Sequence, residues 1–220
     1  MLFGKSTKEI DVTENINIIE NSVYQELKVH GFRKYGRTLH RFVSGDISQV
    51  INFQCGQAYR GETHLMWVNI GIRVPESVER SFDCSEPKKY YHEYECNIRS
   101  RLGAIKKKNA KKEKTYDLRK DIKIITGEIM DELLHDVLPA FDVLSSRQAI
   151  LDYRRDYPYF DILNSHLILL EESMIYGHLG DITKAKEVFE HYYAQVSINC
   201  IDHGHIDYLD ELAVKLGIRE

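Results

Sequence analysis

The sequence predicts an α+β fold: an antiparallel sheet of about four or five strands with flanking helices, plus an all-helical C-terminal extension. Apolar side chains recur with a helical period before residue 31, with a period of two between residues 37 and 102, and with a helical period alone after residue 146. Short connections between the period-two segments favour antiparallel pairing with helices over one face. Composition agrees. Of 220 residues 43% are hydrophobic and 29% charged, with 13 Gly and 4 Pro, the balance of an ordinary folded protein rather than a collagen, a coiled coil or a membrane protein.

The first helix is expected over Thr13 to Val29, where Ile16, Ile19, Val23 and Leu27 form one stripe, Thr13 is the N-cap and Gly31 the stop. Strands follow at Arg37 to Val43, Ile47 to Cys55 and His64 to Val74, with Ser44-Gly45-Asp46 as a turn. A fourth is expected over Tyr94 to Leu102, and Tyr116 to Ile125 reads as a returning strand. Residues Lys106 to Lys114 hold six lysines and no apolar side chain larger than Ala110, which suits a solvated hairpin tip. A helix over Gly127 to Leu144 points Ile129, Leu133, Val137, Phe141 and Leu144 inward and Glu128, Asp131, Glu132 and Asp136 outward, with a kink at Pro139. Further helices are expected over Ser146 to Arg155, Ile162 to His178, Ile182 to Val196 and Ile206 to Leu216.

This pattern divides the chain into a sheet domain, residues 1–145, and a helical extension, 146–220, packed on it by the apolar stripe of Ile162 to His178. Charge divides it similarly. The net charge of −4 conceals 22 basic against 15 acidic residues up to Lys120, and 8 against 19 beyond it. Opposite surfaces of this kind bear on partners and association rates rather than on fold. No apolar run reaches the roughly 18 residues of a membrane span, the N-terminus has no signal-peptide core, and the four cysteines show no paired spacing, so a cytoplasmic location and no membrane contact are expected.

Four blocks carry a family resemblance: Gly31-Phe32-Arg33-Lys34-Tyr35-Gly36-Arg37-Thr38, Val50-Ile51-Asn52-Phe53-Gln54, Val68-Asn69-Ile70-Gly71-Ile72, and Tyr94 through Gly103. In this order, and with the helix at 127–144, they resemble the bacterial domain-of-unknown-function family 4304 over roughly residues 10–145. The resemblance implies membership and brings no activity, substrate or catalytic residue with it. One departure is that the aromatic-rich segment before the last sheet strand is reduced to Thr115-Tyr116-Asp117, after the lysine run. Around Gly180, the residues Tyr176, Ala185 and Phe189 resemble a single tetratricopeptide-type hairpin.

Strand parity gathers Asn52, Gln54, Trp67, Asn69, Arg73, Asn97, Arg99 and Arg101 on the outward sheet face. Amides and guanidinium groups there can recognise carboxylate or phosphate through paired hydrogen bonds. The competing expectation is a face whose polar groups satisfy one another. Metal readings are weaker. Cys200, Asp202, His203, His205 and Asp207 lack a second ligand pair, and Glu132 with His135 lacks a second Glu-x-x-His copy. No nucleophile elbow, Walker loop or dinucleotide turn is present, and Cys55 and Cys96 fall on apolar strand faces as inert side chains. No cofactor or metal is therefore expected. The preferred reading is a non-catalytic protein-binding module, toxin-neutralising or phage-conflict related, contacting a protein partner at the sheet face or, where the partner is basic, at the acidic tail. The rival is an enzyme or nucleic-acid binder holding a phosphate-bearing ligand at Arg99 and Arg101. The lysine run lacks the interleaved aromatics of a nucleic-acid platform.

Overall fold

A helix whose apolar residues recur at three and four positions must lay that stripe on something. Helix α1, Val12–Leu27, lays Ile16, Ile19, Val23 and Leu27 on the sheet with no exposed surface left. The computed structural model describes residues 12–56, 61, 64–76, 88–104, 113–156, 167–199 and 203–220. Thr13 lies inside α1 rather than ahead of it. After a short 3-10 turn the chain reverses at Gly31, whose φ of 85° suits a residue without Cβ and whose N–H donates to the Lys28 carbonyl.

The sheet is antiparallel throughout: β1 Arg33–Tyr35, β2 Thr38–Val43, β3 Ile47–Cys55, β4 Leu65–Arg73 and β5 Ile98–Arg101 lie in that order, and β6, Tyr116–Asp117, also pairs with β4. Register settles which side each residue faces. Thr38, Asn52, Asn69 and Arg101 lie abreast, as do Leu39, Ile51, Ile70 and Ser100. The second row belongs to the apolar face, where Leu39, Ile51, Phe53, Val68, Ile70 and Ile98 meet α1. The same core takes Ile125 and Ile129 of helix α2, Ile122–Glu132, and Phe141 of helix α3, Leu138–Val143.

Four expectations change here. Strand β1 was not expected. The strand expected over Tyr94 to Leu102 is confined to Ile98–Arg101, because Glu93–Glu95 form a 3-10 turn. The strand expected over Tyr116 to Ile125 ends at Asp117, and Asp121 caps α2 by accepting the Lys123 N–H at 2.8 Å. Strands β5 and β6 face one edge of β4, with Leu102 N–H donating to the Val68 carbonyl at 3.0 Å and Lys114 N–H to the Leu102 carbonyl at 2.8 Å. They are thus two pieces of one edge strand, and the lysine-rich segment is inserted between them. Lysines 106–112 lie outside the described residues. The fourth change concerns the helix with Pro139. It begins at Ile122 rather than Gly127 and carries a π turn over Leu133–Val137, with the Leu138 N–H reaching back to the Leu133 carbonyl, next to the position where proline supplies no donor.

Helix α4, Arg147–Tyr153, is capped by the Ser146 hydroxyl, which accepts the Ala149 N–H at 3.2 Å. Helices α5, Ile168–His178, and α6, Ile182–Asn199, form a hairpin turning at Gly180, and α7, His203–Lys215, follows. The stripe of α5 was expected to face the sheet. Instead Leu170 and Met174 join Ala185, Phe189, Leu209 and Leu212 in a second apolar cluster, and Ile175, with Ile150 of α4, joins the sheet-side core. Polar contacts bind the two clusters. Arg154 and Glu171, almost without exposure, pair at 2.7 Å. Arg147 reaches Asp46 at 2.8 Å and Glu76 at 2.6 Å, and Glu76 also takes His178 at 3.0 Å. Among the described residues no helix is long and apolar enough to cross a membrane.

Candidate functional site

The outward face of the sheet is divided in two by the segment that crosses it between β4 and β5. At one end Tyr90–Cys96 lies on the strands. Tyr90 stacks on Tyr35 at 4.4 Å, and Tyr91 packs against His40 and Phe42. The guanidinium of Arg73 lies 3.8 Å from the Tyr91 ring centroid. Cys96 sits over Gly71 so closely that a Cβ at that glycine would meet its Sγ at 2.6 Å. Cys96 is therefore on the outward face, not the apolar face expected for it, because its segment is a strap rather than a strand. Burial pushes its thiol pKa well up, which keeps it neutral. His40 is buried against the Arg73 charge, and desolvation first, then that charge, lowers its pKa to about 4.

At the other end the strap leaves an open cleft of about 410 Å³. Its floor is a series of hydrogen bonds running across four strands, β5 to β2. Arg101 Nε donates to Asn69 Oδ1 at 2.8 Å; Asn69 Nδ2 donates to Gln54 Oε1 at 2.9 Å and to Asn52 Oδ1 at 3.4 Å; Asn52 Nδ2 donates to Thr38 Oγ1 at 3.1 Å. All three amide carbonyls accept, and the amide nitrogens of Asn52 and Asn69 donate, so the direction of the series fixes how those two asparagines are turned. The walls carry two ion pairs: Arg99 Nε with Glu93 Oε1 at 2.6 Å, and Arg101 Nη1 with Glu113 Oε2 at 2.7 Å. Tyr94 lines the rim, 68% exposed, with its ring stacked on His92 at 5.1 Å.

Of the residues marked by strand parity, the fold brings Asn52, Gln54, Asn69, Arg99 and Arg101 into this cleft. Trp67 stands at its margin, with the Arg101 guanidinium 5.8 Å from its ring centroid. Arg73 is not with them. It lies two rungs along the same face, opposite Ser48 and under Tyr91. Asn97 is also elsewhere, its Oδ1 accepting the Val74 N–H at 2.9 Å. The residues that parity missed are Glu93 and Tyr94, from the 3-10 turn of the strap, and Glu113, from irregular backbone ahead of β6.

The other candidates separate. Glu132 was expected outward but is buried, accepting the Gly103 N–H at 2.8 Å and pairing with Lys114, while His135 is exposed beside Asp131. The pair does not converge on a common point. Cys200 and Asp202 lie outside the described residues, as do the side chains of His203 and His205. Among the described residues no group of three His, Cys, Asp or Glu side chains could hold a metal ion.

A six-stranded antiparallel sheet, helices over one face and a charge-balanced polar cleft on the other define an α+β protein with a sheet-face cleft. The chain belongs to the family described as domain of unknown function DUF4304, whose model matches residues 23–143. That span starts inside α1 and ends with α3, and holds the whole cleft. No curated protein and no solved structure matches the chain.

Proposed function

We propose that the protein is a non-catalytic binding module and that the sheet-face cleft takes a segment of a protein partner. The observation that carries this reading is the pairing of Arg99 with Glu93 and of Arg101 with Glu113 around three oriented amides. Two cations and two carboxylates leave the cleft near neutrality. A phosphate would meet Glu93 and Glu113 along with the arginines, whereas peptide groups and polar side chains match a lining of amides and a tyrosine at the rim. The neutral, buried thiol of Cys96 also suits a binding role better than a nucleophilic one.

The setting we propose is a bacterial cytoplasm, in a toxin-neutralising or phage-conflict role. Support for it is indirect: the free thiols of Cys55 and Cys96 fit a reducing compartment, and the acidic helical region offers a second surface to a basic partner. The α5–α6 hairpin, with Ala185 and Phe189 fully buried, fits a tetratricopeptide-like element.

The test is selection of a displayed random-peptide library on the immobilised full-length protein, repeated with Arg101→Gln and with Asn69→Leu. The reading expects an enriched motif that the wild type binds and both variants lose while keeping their melting temperatures within a few degrees. No enrichment, or a motif bound equally by the variants, would sink it. Stabilisation by inorganic phosphate that needs both Arg99 and Arg101 would favour the phosphate-binding rival.

A further inference from the structure

Among the described residues, Glu113 is the member of the cleft that arrives from the lysine-rich insertion, and its position has a chemical meaning. Arg101 is held from below by Asn69 and Gln54, at 2.8 and 3.4 Å, with Trp67 beside it. Three neighbours thus fix the plane of the guanidinium, and its Nη1 edge faces the cleft. On that edge sits the carboxylate of Glu113, at 2.7 Å, from a residue 53% exposed whose sole described side-chain contact is this one. The Arg99–Glu93 pair differs, since Glu93 is only 10% exposed and built into the turn that carries the strap.

We infer that the cleft is built for a carboxylate of the partner segment, and that Glu113 occupies its place until the partner arrives. This rests on the reading of the cleft as the binding site for a protein segment. An oriented guanidinium is the group best matched to a planar carboxylate. Exchanging Glu113 for another monoanion leaves the charge of the cleft unchanged, while a dianionic phosphate would place a surplus negative charge next to Glu93. Exposed ion pairs are easily opened, so Glu113 acts as an internal competitor that lowers apparent affinity by the fraction of time it is seated. The ligand carboxylate can be an acidic side chain or the free C-terminus of a peptide.

The test titrates the full-length protein with four probes followed through the Trp67 emission: acetyl-hexaglutamate amide, acetyl-hexaglutamine with a free C-terminus, the same hexaglutamine as its amide, and inorganic phosphate. Glu113→Gln should bind one of the two carboxylate peptides about three to ten times more tightly than the wild type. Which of the two it binds identifies the source of the carboxylate. Arg101→Gln should bind neither, and the amide-capped hexaglutamine should bind none of the three proteins. An unchanged or weaker affinity in Glu113→Gln, equal binding of the capped hexaglutamine, or a preference for phosphate would overturn the inference. Library-selected peptides that bind the wild type through the cleft but carry no carboxylate would overturn it too, leaving the binding module intact. Melting of both variants at the wild-type temperature keeps a folding defect from imitating either result.

Discussion

Arg99 and Arg101 look alike in the sequence and differ in what they neutralise. Glu93 is nearly buried, so Arg99→Ala strands a carboxylate and should destabilise the protein by about 1–3 kcal/mol, read from urea midpoints. Arg101→Ala breaks a contact with an exposed acid, one hydrogen bond to Asn69 and a long one to Gln54, and its cost should stay near about 1 kcal/mol. Equal costs would mean that the two pairs are equivalent after all. Gly71 makes a second residue-scale point. Any Cβ there meets Cys96 Sγ at 2.6 Å and Cβ at 2.7 Å, so Gly71→Ala should cost about 1–3 kcal/mol, and Cys96→Gly in the same molecule should recover part of it. His40 supplies the pH dependence. Its folded pKa of about 4 lies below the ordinary 6.5, so the unfolded state binds the proton more readily between those values. Stability should therefore be full above about pH 6.5 and fall as the pH drops towards 4, by up to about 3 kcal/mol from this residue. His40→Gln should flatten that slope in urea titrations at pH 7 and pH 4.5, and an unaltered slope would show that other groups produce it.

The edge strand that is broken between β5 and β6 shows how an element can be opened without losing its place. Glu132 accepts the Gly103 N–H at one foot of the insertion and pairs with Lys114 at the other. Glu132→Ala would leave a buried N–H and a loosened foot, and we expect about 1–3 kcal/mol of destabilisation with faster amide exchange at Gly103 and Lys114. Exchange unchanged at both amides would show that β4 alone holds the feet. The strands differ in how readable they are. Strand β3 is legible to both its ends because its residues alternate between a core and a face. Tyr94–Cys96 also alternates, yet Glu93–Glu95 form a 3-10 turn in a strap, since alternation over three residues does not fix backbone conformation or pairing. Strand β1 is three residues caught between Gly31 and Gly36, too short for any period. Ile122 and Ile124 imitate a strand, but Asp121 caps them into a helix. The site follows the same logic: parity finds the amides and arginines that stand on paired strands, while Glu93 comes from a 3-10 turn and Glu113 from irregular backbone, whose positions depend on tertiary packing.

At the scale of the molecule, the sheet region and the C-terminal helices share few apolar contacts and several ionic ones. Arg147 with Asp46 and Glu76, and His178 with Glu76, make the ionic ones, while the pair of Arg154 with Glu171, the most buried among the described residues, lies within the helical region itself. Arg154→Ala leaves a carboxylate in the interior and should cost about 3–5 kcal/mol, whereas Arg154→Met with Glu171→Leu should come close to neutral. A mild single variant would show that water reaches Glu171. The central claim, however, is that the cleft on the sheet is where the protein meets its partner. The sequence has one tryptophan, Trp67, and it stands beside Arg101 at the margin of that cleft. The most direct test is its emission during titration with a library-selected peptide. The account predicts a saturable change in the wild type that is absent in Arg101→Gln, with the same affinity that an independent binding assay returns. A peptide that binds with that affinity while Trp67 emission stays constant, or that binds the variant as well as the wild type, would contradict it.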